Sequence, residues 1–349
     1  MRRTKEQPIS AQVKGKVSKS IPTKKKTIGD VGSMISTGST LLDLAISGTR
    51  IAGGGIPGGI IVEIFGPSGS GKTVLLSEVA GAIKRADGDV MFHDPEGRLN
   101  DQFAKIFDLD IETIDYARTN TIPEVFSKIR SWKPRGNING IMADSLAALS
   151  TNLEMSNDDG DKMGMRRAKE FSEELRKTAR ILAQSNMLLV CSNQLRVNVG
   201  ATFGPKFTTP GGEAIGYYSS LRLQIKPTLK NSKIKRTETV KGKEVIRIVG
   251  ITSEVTVVKS SIDKPYRTAP VTILFDYGID DIRENLKFIK TFSDANVYTI
   301  RGQKLSPSLE KSIDMVERND QEDELREEVI DLWTAMEERF ESDRKKKKR

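Results

Sequence analysis

The sequence is poor in several things, and each shortage excludes something. It holds one cysteine, Cys191, and one histidine, His93, in 349 residues. A lone thiol closes no disulfide within the chain, which excludes a disulfide-stapled fold and leads us to expect a reducing, cytoplasmic setting. A lone imidazole with no ligating residues patterned around it excludes a histidine-built metal site, so His93 reads as a packed or hydrogen-bonded residue. There is no run of about 18 apolar residues, and no membrane span is expected. The N-terminal stretch is basic but lacks the apolar segment of a secretory signal. No internal repeat is visible.

Charge is what the sequence has in excess, and it is unevenly placed. The chain is +9 overall, yet residues 1–27 carry nine Lys/Arg against one Glu and "RKKKKR" at 344–349 adds six more cations, so the body between them is net acidic. Such tails do not pack. They read as electrostatic arms for a phosphate-rich partner, nucleic acid first, with mere solubility as the bland reading.

Between the tails, short apolar runs (Ile60 to Phe65, Val90 to Phe92, Ile138 to Ala143, Met187 to Cys191) alternate with helical stretches at Lys72 to Arg85 and Met165 to Gln184. In the second helix Met165, Ala168, Phe171, Leu175, Thr178 and Leu182 recur at helical spacing and predict one apolar face. This pattern predicts an α/β core with a mostly parallel central sheet. After Gly211 the runs become longer and β-rich (Leu221 to Lys226, Val245 to Lys259, Pro270 to Phe275), predicting antiparallel strands that extend the sheet. The helical "DIRENLKFIKTF", the hairpin-like "NVYTIRGQKL" and an amphipathic stretch Gln321 to Phe340 predict a small α+β C-terminal domain. The expected organisation is therefore a basic tail over 1–33, a core over 34–283, a C-terminal domain over 284–343 and a basic tail over 344–349.

The strongest motif is "GPSGSGKT": Gly66, Pro67, Ser68, Gly69, Ser70, Gly71, Lys72 and Thr73. It follows the strand "IIVEIF" and opens a helix, the context a phosphate-binding P-loop requires. Its glycines let backbone amides turn onto phosphates, Lys72 reaches the terminal phosphates and the Thr73 hydroxyl suits Mg²⁺. Asp144, ending the apolar strand in "GIMADS", is placed to hold the same Mg²⁺ through water. Asp94 and Glu96 in "MFHDPEG" end a further strand. Glu96 is the candidate to orient or deprotonate an attacking water, with a helix-start acid as the alternative reading.

Behind the run Met187 to Cys191 comes "NQLRVNVGATFGPKFTTPGGEAIG", a polar, glycine-dotted segment too long for an ordinary connection. "ISTGSTLLDLAISG", "GPSGSGKT", "HDPEG" with Phe103 downstream, "IMADSLAAL", "SNQLR" and "TTPGGEAI" stand in the order and approximate spacing of the bacterial RecA recombinases, and the chain resembles that family over roughly Met34 to Asn285. The resemblance implies a RecA-like P-loop NTPase fold, ATP and Mg²⁺ as cofactors, and a helical homo-oligomer on single-stranded DNA that pairs it with homologous double-stranded DNA.

It also assigns roles. About Glu154 to Gly164 would be the first DNA-binding loop, with Met163 matching a residue that wedges between bases and Arg166 and Arg167 nearby. The long segment would be the second. There Arg196, Lys206, Thr208 and Thr209 would meet phosphates, and Gly200, Gly204, Gly211 and Gly212 would permit close backbone approach. Gln194 would sense the γ-phosphate and pass its presence to the loop. Asn100 and Phe103 match positions that contact the adenine, where the family commonly has Asp and Tyr; Phe103 reads alternatively as a core residue beside Leu99 and Ile106.

Two lysines that reach a neighbouring subunit's ATP in the family correspond to Lys259 and to Ser261, which leaves Lys259 alone or Lys264 as a substitute. The cation-rich "KPTLKNSKIKRTETVKGKEVIR", with Arg222 and Lys226 leading into it, is longer than its counterpart and reads as a second-strand site or a solvated hairpin. The implied function is ATP-dependent homologous pairing and strand exchange, with a DNA-coating scaffold or a helicase-like or loader ATPase as other readings, in the cytoplasm on the nucleoid.

Overall fold

A computed structural model describes residues 34–48, 54–151, 163–197, 207–208, 213–229, 232–293, 295–342 and 344. Residues 33–284 form one compact unit and 285–349 belong to a second. The basic stretches 1–33 and 345–349 lie outside the described residues, as do 152–162 and most of 198–212.

The larger unit opens with β1 (Met34–Ile35), helix α1 (Thr40–Ser47) and β2 (Ile56–Pro57), which pairs with β1. Helix α1 is buried along its whole length, started by the Ser39 side chain and anchored through Asp43, whose carboxylate accepts from Thr37 N–H at 2.8 Å, Thr37 Oγ1 at 2.7 Å and Ser36 Oγ at 2.6 Å. Then follow β3 (Ile61–Gly66), α2 (Lys72–Arg85), β4 (Val90–His93), α3 (Asp101–Lys105), β5 (Asp115–Ala117), α4 (Ile122–Ser131), β6 (Asn139–Ala143), α5 (Met163–Gln184) and β7 (Met187–Gln194). The second half adds β8 (Arg196–Val197), β9 (Phe207–Thr208), α6 (Glu213–Tyr218), β10 (Leu221–Pro227), β11 (Lys233–Val240), β12 (Lys243–Ser260), β13 (Thr268–Leu274), β14 (Gly278–Ile279) and α7 (Asp281–Phe292), the last running into the second unit.

Ten of these strands make one sheet in the order β14, β13, β12, β10, β3, β7, β6, β4, β5, with β11 paired to β12. The six strands from β10 to β5 are parallel, and β11 to β14 extend the sheet by antiparallel pairings. This is the α/β architecture expected, a mostly parallel sheet lengthened by antiparallel strands. Strands β3, β4 and β6 are buried at every residue, because helices cover both faces of a parallel sheet and leave no solvent side to pattern. From β3 the chain crosses through α2 past β7 and β6 to β4, so the carboxyl ends of β3, β6 and β7 surround a crevice of the kind where open α/β sheets place ligands.

Phe171, Leu175, Thr178 and Leu182 of α5 are fully buried, and Phe171 meets Phe126 of α4 edge-on at 6.3 Å. Met165, expected on the same face, is 80 % exposed. Strand β12 carries one residue too many at two points. Ile234 pairs with Gly250 but Lys235 with Ile248, and Arg222 pairs with Lys259 but Leu223 with Val257, so Val249 and Val258 are bulged.

In the second unit, β15 (Thr299–Ile300) and β16 (Gln303–Lys304) form a hairpin closed by Arg301 and Gly302, both at positive φ. Arg301 pairs with Asp331 at 2.6 Å on α9 (Glu322–Glu338), which follows α8 (Leu309–Arg318), and Phe288 packs near Trp333 with ring centres 6.1 Å apart.

His93, at the end of β4, is fully buried, with Nδ1 3.1 Å from Thr119 Oγ1 and Nε2 3.1 Å from Met91 Sδ. It is the packed residue the sequence suggested. Burial first, and Lys128 second, push its imidazole down to about 4. Between that value and the ordinary 6.5 the unfolded chain binds a proton that the folded chain does not, so stability falls as pH drops through this window, by roughly 3 kcal/mol in all. Urea titrations from pH 7 to pH 4 should show His93→Gln losing roughly 3 kcal/mol less stability than the parent.

Candidate nucleotide and DNA site

The P-loop is built by close approach. A Cβ on Gly66 would stand 2.1 Å from the Ile225 carbonyl of β10, and Gly71, which caps α2 at φ 100, would meet Ile273 Cδ1 at 2.3 Å. A side chain at Gly66 would run into the Ile225 backbone, and at Gly71 it would need a positive φ that L residues rarely adopt. Ser70 ties the loop internally, its Oγ donating to Pro67 O at 2.8 Å, and Ser253 Oγ of β12 donates to Ser70 O at 2.9 Å. The Lys72 ammonium is buried and donates to Gly66 O at 3.1 Å and Pro67 O at 2.7 Å. Burial lowers its pKa from the usual lysine value, with Asp144 pulling upward and Arg98 adding to the depression.

Thr73 Oγ1 donates to Asp144 Oδ2 at 2.6 Å, and Ser192 Oγ donates to Asp144 Oδ1. Burial raises the Asp144 carboxyl above its usual range, and those two hydrogen bonds oppose the rise. A hydroxyl and a carboxylate side by side at the mouth of a glycine cradle are the hard oxygen donors that Mg²⁺ takes beside phosphate, so the residues present fit an ATP·Mg²⁺ substrate. Among the described residues no cluster of three or more His, Cys, Asp or Glu side chains offers another metal site.

Glu96 and Arg98 sit in the tight loop after β4. Asp94 closes that loop by accepting the Leu99 N–H at 2.8 Å, and Gly97 turns it at φ 65. Ser145 Oγ donates to Glu96 Oε1 at 2.7 Å and Arg98 Nη2 pairs with Glu96 Oε2, so both carboxylate oxygens are engaged. A cavity of about 320 Å³ opens beside the P-loop, lined by Gly69, Lys72, Thr73, Arg98, Phe103 and Phe275, with Ile251 and Ile273 at its apolar end. Phe103 thus faces the cavity as well as packing edge-on against Phe107 at 4.9 Å. Asn100 caps α3, accepting the Phe103 N–H at 2.9 Å.

Gln194 is the register partner of Gly66 across the β3–β7 pairing, and the next residues enter a two-stranded ribbon in which Arg196 pairs with Thr208. Gly200, Lys206, Thr209, Gly211 and Gly212 lie outside the described residues, as does nearly all of the expected first loop. Met163 starts α5, Arg166 is exposed one turn on, and Arg167 donates to the Leu149 carbonyl. Lys226 is exposed on β10, opposite Glu254, and Lys264 is exposed in the turn after β12.

Two of the sequence expectations look different in place. Arg222, read as a lead-in to a DNA strand, is turned inward: its Nε donates to the fully buried Glu63 at 2.6 Å and its guanidinium covers the Phe65 ring at 4.8 Å. The remaining Glu63 oxygen accepts from Asn193 Nδ2 at 3.0 Å. A buried carboxylate needs these partners, and it outcompetes solvent for the guanidinium. Lys259 donates to Gly216 O and Tyr217 O, both at 2.9 Å, capping the end of α6 within its own chain. Burial lowers its pKa, with Arg222 adding and Glu63 opposing.

Sequence reasoning missed Arg98, Phe275, Ile251, Ile273, Ser145 and Ser192. Arg98 carried a readable signal, a cation two residues after the candidate base. The others reach the site only through strand register, which the sequence does not print.

Two comparisons bear on this geometry. The RecA N-terminal domain model matches residues 11–280. The chain is also similar to Protein RecA of Acholeplasma laidlawii strain PG-8A, 34% identical over 247 residues, covering 70% of this chain and 69% of that protein. The chain belongs to the RecA family. Membership gives it a recombinase function of the RecA kind, with ATP and DNA binding and a role in recombination and repair. In this RecA-family chain the P-loop, Glu96, Asp144 and Gln194 stand around one crevice.

Removing the Arg222 guanidinium should leave Glu63 buried without its ion-pair partner. Arg222→Ala is expected to cost about 3 kcal/mol in urea unfolding, and adding Glu63→Gln should return part of that loss.

Proposed function

We propose that this chain is an ATP-dependent recombinase that assembles as a helical homo-oligomer on single-stranded DNA and couples ATP hydrolysis to exchange with a homologous duplex. The observation that carries the coupling is β7. Its last residue, Gln194, lies beside Gly66 at the root of the P-loop, and the chain passes directly from it into the ribbon of the second DNA segment. A side chain in that position can feel the terminal phosphate and bias the order of the ribbon.

The chain's own residues divide the work. Lys72 neutralises phosphate charge, and Thr73 and Asp144 hold Mg²⁺, which supplies charge neutralisation at the phosphates. Glu96 takes the proton of the attacking water. Asn100 and Phe103 bound the base, and Phe275 lines the same cavity as Phe103. Met163, Arg166, Arg167, Arg196, Lys206, Thr208 and Thr209, with Gly200, Gly211 and Gly212, contact single-stranded DNA through backbone and stacking contacts that need no sequence. Lys226 and the basic hairpin β11–β12 face the second DNA. The tails over 1–33 and 344–349 add phosphate contacts, and 284–343 serves as the C-terminal domain. No described helix is long and apolar enough to cross a membrane; a cytoplasmic, nucleoid-associated site follows from the DNA partner.

Lys259 completes the site of the neighbouring subunit, with Lys264 as the secondary cation. To do so Lys259 leaves the Gly216 and Tyr217 carbonyls, so subunit assembly and the end of α6 are linked. The test mixes Lys259→Ala with Lys72→Ala subunits on single-stranded DNA. Each restores what the other lacks at part of the mixed interfaces, so the mixture should hydrolyse ATP faster than either variant alone. Mixed filaments with no gain would reject the trans assignment. Strand exchange with homologous against heterologous duplex tests the function itself: coating of DNA without homologous product would mark a scaffold.

A further inference from the structure

We propose that Arg98 is a catalytic cation of the ATPase site, supplied by the same subunit, which exchanges its partner Glu96 for the terminal phosphate when nucleotide binds. The inference rests on the ATPase reading above and adds a residue to it.

Four observations converge on Arg98. It lines the cavity together with Lys72 and Thr73, the two P-loop residues that face phosphate and Mg²⁺. Its guanidinium is paired through Nη2 with Glu96, the carboxylate placed to activate water. The loop that carries both is held short by the Asp94 contact to the Leu99 N–H and the turn at Gly97, so the pair is presented as a unit. The charge of Arg98 also adds to the lowering of the Lys72 pKa that burial begins.

The bland reading is a surface ion pair. Arg98 is 41 % exposed and Glu96 22 %, so as a stabilising contact the pair contributes little. That weakness favours exchange, since a terminal phosphate is a more highly charged acceptor than a carboxylate and guanidinium forks suit both. The swap would also release one Glu96 oxygen while Ser145 keeps hold of the other. Water could then donate its proton to the freed oxygen as its own oxygen bonds to phosphorus and the bond to the ADP oxygen breaks. Arg98 would stabilise the charge on the transferring group. With Ser261 neutral, the pair of cations expected from the neighbouring subunit is short by one, and Arg98 would supply a second positive charge from within the same chain.

The test uses the full chain on single-stranded DNA with Arg98→Ala, Arg98→Lys, Glu96→Gln, the double variant Glu96→Gln/Arg98→Ala, and Lys72→Ala for comparison. Arg98→Ala should lower kcat by about 10²-fold to 10³-fold, the range seen on losing one transition-state donor, with ADP affinity within about 3-fold of the parent. Retention of ADP with aluminium fluoride should fall in parallel with kcat. Millimolar guanidinium should restore part of the Arg98→Ala rate and none of the Lys72→Ala rate, and Arg98→Lys should fall between parent and Ala. In the Glu96→Gln background, Arg98→Ala should still weaken aluminium fluoride retention. A kcat within about 3-fold of the parent, ADP affinity falling as far as the rate, or no further loss in the Glu96→Gln background would overturn the proposal. The last result would make Arg98 a positioning residue for Glu96. A parent chain that hydrolyses no ATP would overturn the ATPase reading and this inference with it, whereas an active parent with an unaffected Arg98→Ala would overturn this inference alone.

Discussion

A single buried carboxylate organises the centre of the molecule. Glu63 lies in β3, the strand that ends in the P-loop, and is fully buried between β7 and β10. A charge in that position costs several kcal/mol unless it is paired and hydrogen-bonded. Its two partners, Asn193 and Arg222, bracket the long polar segment: Asn193 opens it and Arg222 stands just after α6. Arg222 also packs against Gly216, where a Cβ would come within 2.9 Å of its guanidinium carbon, and Lys259 holds the adjoining carbonyls of α6. Compensating one charge therefore fixes both stems of the proposed DNA segment to the strand that bears the phosphate loop.

The phosphate site has the opposite character. Its charges are close but only half committed. Lys72 rests on loop carbonyls, Asp144 on two hydroxyls and Glu96 on a hydroxyl and a guanidinium. None of these partners is a buried, mutually locked ion pair of the Glu63 kind. A site that must accept a polyanion and release it is better served by contacts that can be traded than by contacts whose loss unfolds the sheet.

The two kinds of interaction explain what the sequence disclosed. The central strands were readable because burial on both faces makes them continuous apolar runs, and α2 was readable because the P-loop motif fixes its first residue. Gln194, Asp144 and Glu96 were readable as strand-end polar residues. The inward contact of Arg222 was not readable because its strand is surrounded by cations in sequence, while the carboxylate that claims it lies 159 residues away. Phe275, Ile251 and Ile273 were invisible for a related reason: they face the cavity through the register of β12 and β13, and a bulge can reverse such facing without any mark in composition. Strand β5, three residues long, offers too little pattern to read.

The two bulges of β12 carry one more consequence. The stretch from Gly250 to Val257 walls the nucleotide cavity through Ile251, and Val249 and Val258 flank it as extra residues. In a strand without such interruptions, a residue gained or lost in the basic hairpin would turn every later side chain to the opposite face. Here each bulge is already a place where the count can slip. The outer hairpin can change length and charge, and the Lys259 end can change its reach, while Ile251 keeps its orientation. One backbone thereby serves as three independently editable segments.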